Sequence, residues 1–284
     1  MKNCNLCPNA CNADRTASAG VCGVTDEIRI AKYYPHMYEE PVISGDRGSG
    51  AVFFCGCSLQ CAFCQNYEVS RARRGKIITA KELADIFREL EDMGVHNVNL
   101  VTGTHYADRI AEALDLYRPK IPVVWNTHGY ETAETLELID PYIDIYLPDL
   151  KFYGRETAAR YCRREDYFEY ASKAVERMCE KKLVTENGLM KSGTIVRHLV
   201  LPENAENTRK ILEWFAPLKD KAYFSLMSQY TPFGKLDNCP ELKRRLTPRE
   251  YKRAVDYALT LGYENLFVQD IKSSGEEYIP SWDY

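Results

Sequence analysis

The sequence predicts an α/β barrel or partial barrel built on parallel strands, and three observations predict it. Strand-like and helix-like segments alternate along most of the chain. The strand candidates are short apolar runs rich in Val and Ile, as strands covered on both faces are. Polar groups recur at the C-terminal ends of successive strands, where a barrel gathers its functional residues at one mouth. No internal repeat or low-complexity linker interrupts the pattern. The body therefore reads as one domain, residues 46–284, preceded by a cysteine-rich segment, residues 1–45.

The elements follow in order. "AVFFC" at 51 is the first strand, introduced by Gly45, Gly48 and Gly50, which suit a tight turn. Those glycines precede a strand, whereas a dinucleotide fingerprint follows one and opens a helix. Thr79 with Glu82 forms a capping box ahead of the amphipathic run Leu83, Ile86, Phe87, Leu90 and Met93, which Gly94 ends. "NVNLV" at 97, "IPVVW" at 121, "YIDIYL" at 142, "TIVRHLVL" at 194, "AYFSLM" at 222 and "NLFVQ" at 265 are further strands, with helical patterns in most gaps. Thr247, Pro248 and Glu250 repeat the capping device before Tyr251, Ala254, Val255, Ala258 and Leu259, and Gly262 closes that helix.

Composition narrows the function classes. A net charge of −4 argues against a dedicated nucleic-acid binder, which needs a basic balance to neutralise phosphates. "RARRGK" at 71–76 is a local exception, read as a solvated loop with an anion or partner site as its rival. No stretch of about eighteen apolar residues and no apolar N-terminal run with a cleavage site is present, so the reducing cytoplasm is the expected compartment. There, closely spaced cysteines are metal ligands or catalytic groups more often than disulfides. The twenty tyrosines are scattered and read as packing residues.

The strand ends carry the chemistry. The first runs into Cys57, Cys61 and Cys64; the second into Thr102, Gly103, Thr104 and His105; the third into Asn126 to Tyr130; the fourth into Asp149 and Lys151; the fifth into Arg197 and His198. Cys57-x3-Cys61-x2-Cys64 offers three thiolates within eight residues. A 4Fe-4S cubane held by three protein thiolates leaves one iron open to an outside ligand, so three close thiols suit a reactive cluster better than a closed structural site. The competing account makes Cys55 a fourth ligand of a zinc ribbon. Cys55-x-Cys57 is too tight for a usual zinc pair, and Cys55 follows an apolar run. A barrel hydrolase with a three-histidine metal site of His105, His128 and His198 is a further rival, but it leaves the cysteine motif without a task.

Cys57-x3-Cys61-x-Phe63-Cys64 resembles the signature of the radical S-adenosylmethionine (SAM) enzymes. "EEPVISGDRGSGAVFFCGCSLQCAFCQNYEVS", "NLVTGTHY", "YIDIYLPDLKFY", "VRHLVLP" and "SLMSQYTP" look more closely like the branch related to pyruvate formate-lyase-activating enzymes, the PflX-type proteins. The resemblance covers essentially the whole chain. It implies a partial (β/α)6 TIM-like barrel, a 4Fe-4S cluster on Cys57, Cys61 and Cys64, and SAM held at the open iron. It further implies reductive cleavage of SAM to a 5'-deoxyadenosyl radical that abstracts hydrogen from a substrate. Phe63 is then expected near the adenine, and Thr102, Gly103 and Thr104 stand where many members carry Gly-Gly-Glu for the methionine amine. No glutamate stands there in this chain. Asn126 and His198 are expected at the ribose and carboxylate, and Asp149 and Lys151 match the Asp-x-Lys of glycyl-radical activases, whose lysine helps hold SAM or shape the substrate side.

The N-terminal set, Cys4-x2-Cys7-x3-Cys11-x10-Cys22, completes four thiols and is expected to hold structural zinc or an auxiliary iron-sulfur cluster. The functional expectation is a radical SAM oxidoreductase acting on an unidentified substrate, with a glycyl-radical-enzyme glycine as the family-based candidate. Radical modification of another peptide or small molecule and a non-catalytic zinc-binding module are the alternatives. A radical enzyme also implies an electron donor such as flavodoxin or ferredoxin, and the expectation includes no membrane partner.

Overall fold

The computed structural model describes residues 3–72 and 74–269. Its strands are β1 (Ile28–His36), β2 (Ser49–Phe54), β3 (Lys76–Ile78), β4 (Val98–Val101), β5 (Val123–Thr127), β6 (Ile145–Pro148), β7 (Val184–Glu186), β8 (Leu189–Leu199), β9 (Tyr223–Met227) and β10 (Leu266–Val268). Its α-helices are α1 (Pro41–Ser44), α2 (Ala80–Asp92), α3 (Ala107–Leu116), α4 (Ala133–Ile139), α5 (Arg155–Cys162), α6 (Tyr167–Met178), α7 (Ala205–Phe215) and α8 (Pro248–Thr260).

One sheet runs in the order β10-β9-β8-β6-β5-β4-β2-β1-β3, with β7 paired to β8 as a hairpin. From β2 through β10 the neighbours along this path are parallel, and helices lie between them in the chain. Among the described residues the sheet has edges at β3 and β10 and is not closed. A parallel sheet with crossover helices, curled but open, is a partial (β/α) barrel. Each expected strand is present. Both capping boxes form: Thr79 and Glu82 exchange hydrogen bonds at the start of α2, and Thr247 and Glu250 at the start of α8. Gly94 and Gly262 follow these helices with φ of 80° and 74°, which a side chain would strain.

Strand alternation divides the residues between two layers. Val123 and Trp125 pack outward with Leu83, Ile110 and Leu136, whereas Val124, Ile145, Leu147 and Ile195 face the lumen with Ile43 of α1 and Met190. Helix α1 thus caps the end of the barrel at which the strands begin, held there by Asn97, which donates to the Ile43 carbonyl at 2.6 Å. The expected boundary between residues 45 and 46 needs correction. Antiparallel β1 pairs with β2 and β3 across it, so residues 28–45 belong to the body and the cysteine-rich segment ends before Ile28. Among the described residues no helix is long and apolar enough to cross a membrane.

Candidate active site

The loop after β2 carries Cys57, Cys61 and Cys64, and the chain fastens it from several sides. Gly56 has φ 87°, and a Cβ there would sit 2.9 Å from the Cys22 carbonyl, so the close approach requires glycine. The Ala62 N–H donates to the Tyr161 carbonyl at 2.8 Å, and the Ala62 carbonyl accepts from the Lys235 N–H at 3.1 Å. Gly234, with φ 86°, lets the segment after β9 press onto that carbonyl. Ser58 Oγ lies 2.9 Å from His128 Nε2, and Arg71 donates to the Gln60 carbonyl. Residue 73 of the basic run lies outside the described residues. Phe63 is buried, with its ring edge-on to Phe152, Tyr161 and Tyr230.

Lys151 meets this loop from the end of β6. Burial works against its ammonium, but Asp149 and the Cys61 thiolate outweigh that and hold its pKa above the ordinary lysine value. Its Nζ donates to Asp149 at 2.6 Å. Burial pushes the Cys57 thiol up to about 11 and Cys61 well above its usual range, while Lys151 pulls both down. Thiols placed in this way ionise when iron supplies the compensating charge. The donor set therefore fits a three-thiolate cluster: three sulfurs on one loop, a half-buried cation beside them, and Ser70 Oγ donating to Cys64 Sγ at 3.4 Å. Cys55 turns elsewhere, with its Sγ 3.0 Å from the Arg74 carbonyl.

The lumen beneath holds a charged network that includes residues from outside the strand ends named above. Arg197 Nε donates to Asp149 at 2.8 Å, Nη1 to Glu39 at 3.2 Å, and Nη2 to the Asn126 side-chain oxygen Oδ1 at 2.7 Å. Glu40 lies buried nearby, and burial pushes its carboxyl up to about 7, assisted by Glu39 and Asp149 and opposed by Arg197. Asn99, also on the lumen side of its strand, has a buried side-chain amide with neither atom partnered among the described residues. Sequence reasoning missed Glu39 and Glu40, which sit between β1 and α1, and chose His198 where the lumen residue is Arg197.

His198 occupies the opposite face of β8. Its Nδ1 lies 2.7 Å from the Leu150 carbonyl and its Nε2 3.0 Å from Thr208 Oγ1 on α7, so both ring nitrogens are spent in the helix layer. The expectation that it reaches SAM is corrected on that geometry. His105 contacts the Cys55 carbonyl and His128 contacts Ser58, so the three histidines do not converge. Burial pushes His105 and His128 down to about 3 and His198 to about 4, leaving all three neutral near pH 7.

Thr102, Gly103 and Thr104 form the turn after β4, with Thr102 at φ 60° and its N–H donating to the Asn126 carbonyl. A Cβ on Gly103 would meet Ile110 at 2.7 Å. Behind the turn stands Glu131, which accepts from Thr104 at 2.8 Å, Trp125 Nε1 at 3.1 Å, and Thr127. All three bonds end on one carboxylate oxygen; the other is buried without a partner among the described residues. Burial pushes this carboxyl up to about 7, against the three donors. An acid with a raised folded pKa stabilises the fold below its unfolded pKa, and that contribution is lost as pH rises towards 7. Urea unfolding of Glu131→Gln should therefore show the variant gaining on the wild type between about pH 4.5 and 7, by on the order of 3 kcal/mol. A difference independent of pH would mean that Glu131 is ionised throughout.

The chain is thus an open parallel barrel that carries three thiols on the loop after its first parallel strand. Comparison with known proteins identifies the family. The Radical SAM superfamily model matches residues 51–215. The chain is 32% identical over 270 residues to the uncharacterized protein MJ0674 of Methanocaldococcus jannaschii, covering 91% of this chain and 75% of that protein. The chain belongs to the radical SAM superfamily. Among solved structures, Streptococcus suis SuiB bound to precursor peptide SuiA shares the fold, with a TM-score of 0.52 at 15% identity over 84% of this chain; the chain spans 48% of SuiB. A domain of pyruvate-formate lyase-activating enzyme from Bacteroides vulgatus is a looser match, with a TM-score of 0.39 at 14% identity over 67% of this chain and 91% of that domain. Among the described residues no three His, Cys, Asp or Glu side chains are drawn together closely enough to hold a single metal ion.

Proposed function

We propose that the protein is a radical SAM oxidoreductase in which Cys57, Cys61 and Cys64 hold a 4Fe-4S cluster and the lumen network holds the methionine end of SAM. The observation that carries this reading is the half-buried Lys151 ammonium, placed between the thiol loop and the Asp149–Arg197–Glu39 network. When bound, the cluster and SAM supply reductive cleavage to a 5'-deoxyadenosyl radical that takes a hydrogen atom from substrate. The protein's own residues orient and exclude. The methionine end of SAM carries an ammonium and a carboxylate, and the lumen offers both signs: Glu39 and Asp149 for the first, Arg197 and Lys151 for the second. This assignment supplies an acid for the amine in a chain that has no Gly-Gly-Glu. Phe63, within its aromatic cluster, shields the cluster loop from water, and Thr102, Gly103 and Thr104 give a turn braced by Glu131 against which the cofactor packs.

The substrate proposed first is the glycine loop of a glycyl-radical enzyme, on the likeness of Asp149-x-Lys151 to the activase motif and of the chain to the PflX-type branch. The reducing electron comes from a small carrier such as flavodoxin or ferredoxin. The test is anaerobic reconstitution followed by iron and sulfide counting, reduction, and assay of 5'-deoxyadenosine with SAM. About four iron atoms per three-thiol site, a paramagnetic signal altered by SAM, and 5'-deoxyadenosine formation are expected. Zinc without reconstitutable iron at these thiols would overturn the reading. With the enzyme active, a glycyl radical on the partner is the expected product; modification of a different peptide or a small molecule would overturn the substrate assignment alone.

A further inference from the structure

The N-terminal cysteines play no part in the chemistry above, yet they are packed around a buried cation. Cys4, Cys7 and Cys22 are buried and Cys11 is half-buried. A Cβ on Gly20 would lie 3.3 Å from Cys11 Sγ, 3.5 Å from Cys22 Sγ and 3.6 Å from Arg15 Cδ, so the two sulfurs and the arginine stem surround one glycine. Arg15 is only 1% exposed. Its Nη1 lies 3.9 Å from Cys4 Sγ and donates to the His105 carbonyl, and its Nη2 donates to the Thr25 carbonyl at 2.5 Å. Its Nε is buried without a partner among the described residues. Asn9 Nδ2 approaches Cys7 Sγ at 3.5 Å.

A guanidinium taken out of water and bonded mainly to carbonyls is costly unless negative charge lies beside it. The Tyr106 ring, 5.4 Å away, and the nearby Asp26 carboxylate offset part of that cost; four thiolates around zinc or around a 2+ cubane carry a net charge of about −2, and such a centre would offset more of it. We infer that Cys4, Cys7, Cys11 and Cys22 hold a tetrathiolate metal centre, zinc or an iron-sulfur cluster, with Arg15 as its buried counter-cation and with the loop of Cys57, Cys61 and Cys64 latched to it.

The latch is a set of direct bonds. The Cys57 N–H donates to the Cys22 carbonyl at 3.1 Å, Gln60 Nε2 to the Val21 carbonyl at 2.8 Å, and Asn9 Nδ2 to the Ser58 carbonyl at 3.0 Å. Thr135 Oγ1 donates to the Leu6 carbonyl at 2.8 Å and ties the segment to α4. Ordering of the first metal site therefore orders the backbone that presents the second. Among the described residues no three of these side chains are grouped to hold a single metal ion.

The test uses the full chain carrying Cys57→Ala, Cys61→Ala and Cys64→Ala together, so that bound metal reports on the N-terminal set and not on SAM cleavage. Expected is about one zinc, or about four iron with sulfide, per chain, lost on further replacement of Cys4 and Cys22 by alanine. Arg15→Leu should speed metal loss to a chelator by on the order of tenfold, with partial rescue by Arg15→Lys. Removing the metal should raise hydrogen exchange at the amides of residues 56–60. A folded triple variant that binds neither metal overturns the inference. If the triple variant does not fold, wild-type protein is decisive: metal beyond one cluster, with the four thiols protected from alkylation, supports the centre, and four freely alkylated thiols beside a single cluster refute it.

Discussion

Replacing any one of Cys57, Cys61 or Cys64 by alanine is expected to reduce SAM cleavage to background, while Cys55→Ala retains it. The four thiols share one short stretch, but the structure separates them by direction. Cys57 and Cys61 are buried with Phe63 in the core beneath the barrel mouth, with Cys64 packed against it. Cys55 lies on the side of β3, where a Cβ on Gly75 would meet its Sγ at 2.7 Å. A site-differentiated cluster cannot lose one of three protein ligands and keep its open iron defined. Cys55→Ala removes a small buried group at a stability cost of about 1–2 kcal/mol and no ligand. Iron content and 5'-deoxyadenosine formation should fall together in the first three variants. If Cys55→Ala loses iron as they do, the ligand assignment fails.

The parallel body was legible because each buried strand is an apolar run whose length and flanks differ from those of a helix, and because the capping boxes of α2 and α8 are local in sequence. What escaped was either short or dependent on distant pairing. The strand β1 pairs across the chain with β2 and β3, and its mixed burial gives no clean alternation. The hairpin of β7 and β8 did have a local signal, Asn187-Gly188 with φ of 51° and 79°, the two-residue turn that such hairpins favour. The site shows the same division. The thiol loop, Asp149 and Lys151 are found by spacing. Choosing between Arg197 and His198 needs the strand's facing, set by pairing with β9 and the bridge from Arg197 to Asp149. Glu39 and Glu131 come from connections between elements, where no periodicity marks a residue that will be buried.

Arg197→Met is expected to destabilise the protein by about 3–5 kcal/mol at pH 7, because it leaves buried acids without their main cation. The Arg197 side chain is 14% exposed and its guanidinium bonds Glu39, Asn126 and Asp149 at once, and the Glu39 side chain is 11% exposed. Asp149 keeps Lys151 after the substitution; among the described residues Glu39 keeps the Asn126 amide, 3.4 Å away, as its hydrogen-bond partner. The pH dependence identifies the cause. Burial opposes ionisation of Asp149, but Arg197 and Lys151 outweigh it and hold its pKa below the ordinary carboxylate value. Its stabilising contribution is therefore present above the unfolded pKa, near 4, and is lost as pH falls further. In Arg197→Met the Glu40 carboxyl, which burial already pushes up to about 7 against Arg197, and Asp149 take up protons at higher pH, so the deficit should shrink between pH 7 and 5. Adding Glu39→Gln should recover part of it, whereas independent sites would simply add. Urea unfolding of the single and double variants at both pH values measures this. A deficit below about 1 kcal/mol at pH 7 would mean that the lumen charges behave as exposed pairs do, screened by water. Such screening would leave the lumen too wet to hold the zwitterionic end of SAM by charge, and the assignment of Glu39 and Arg197 to that role would fail with it.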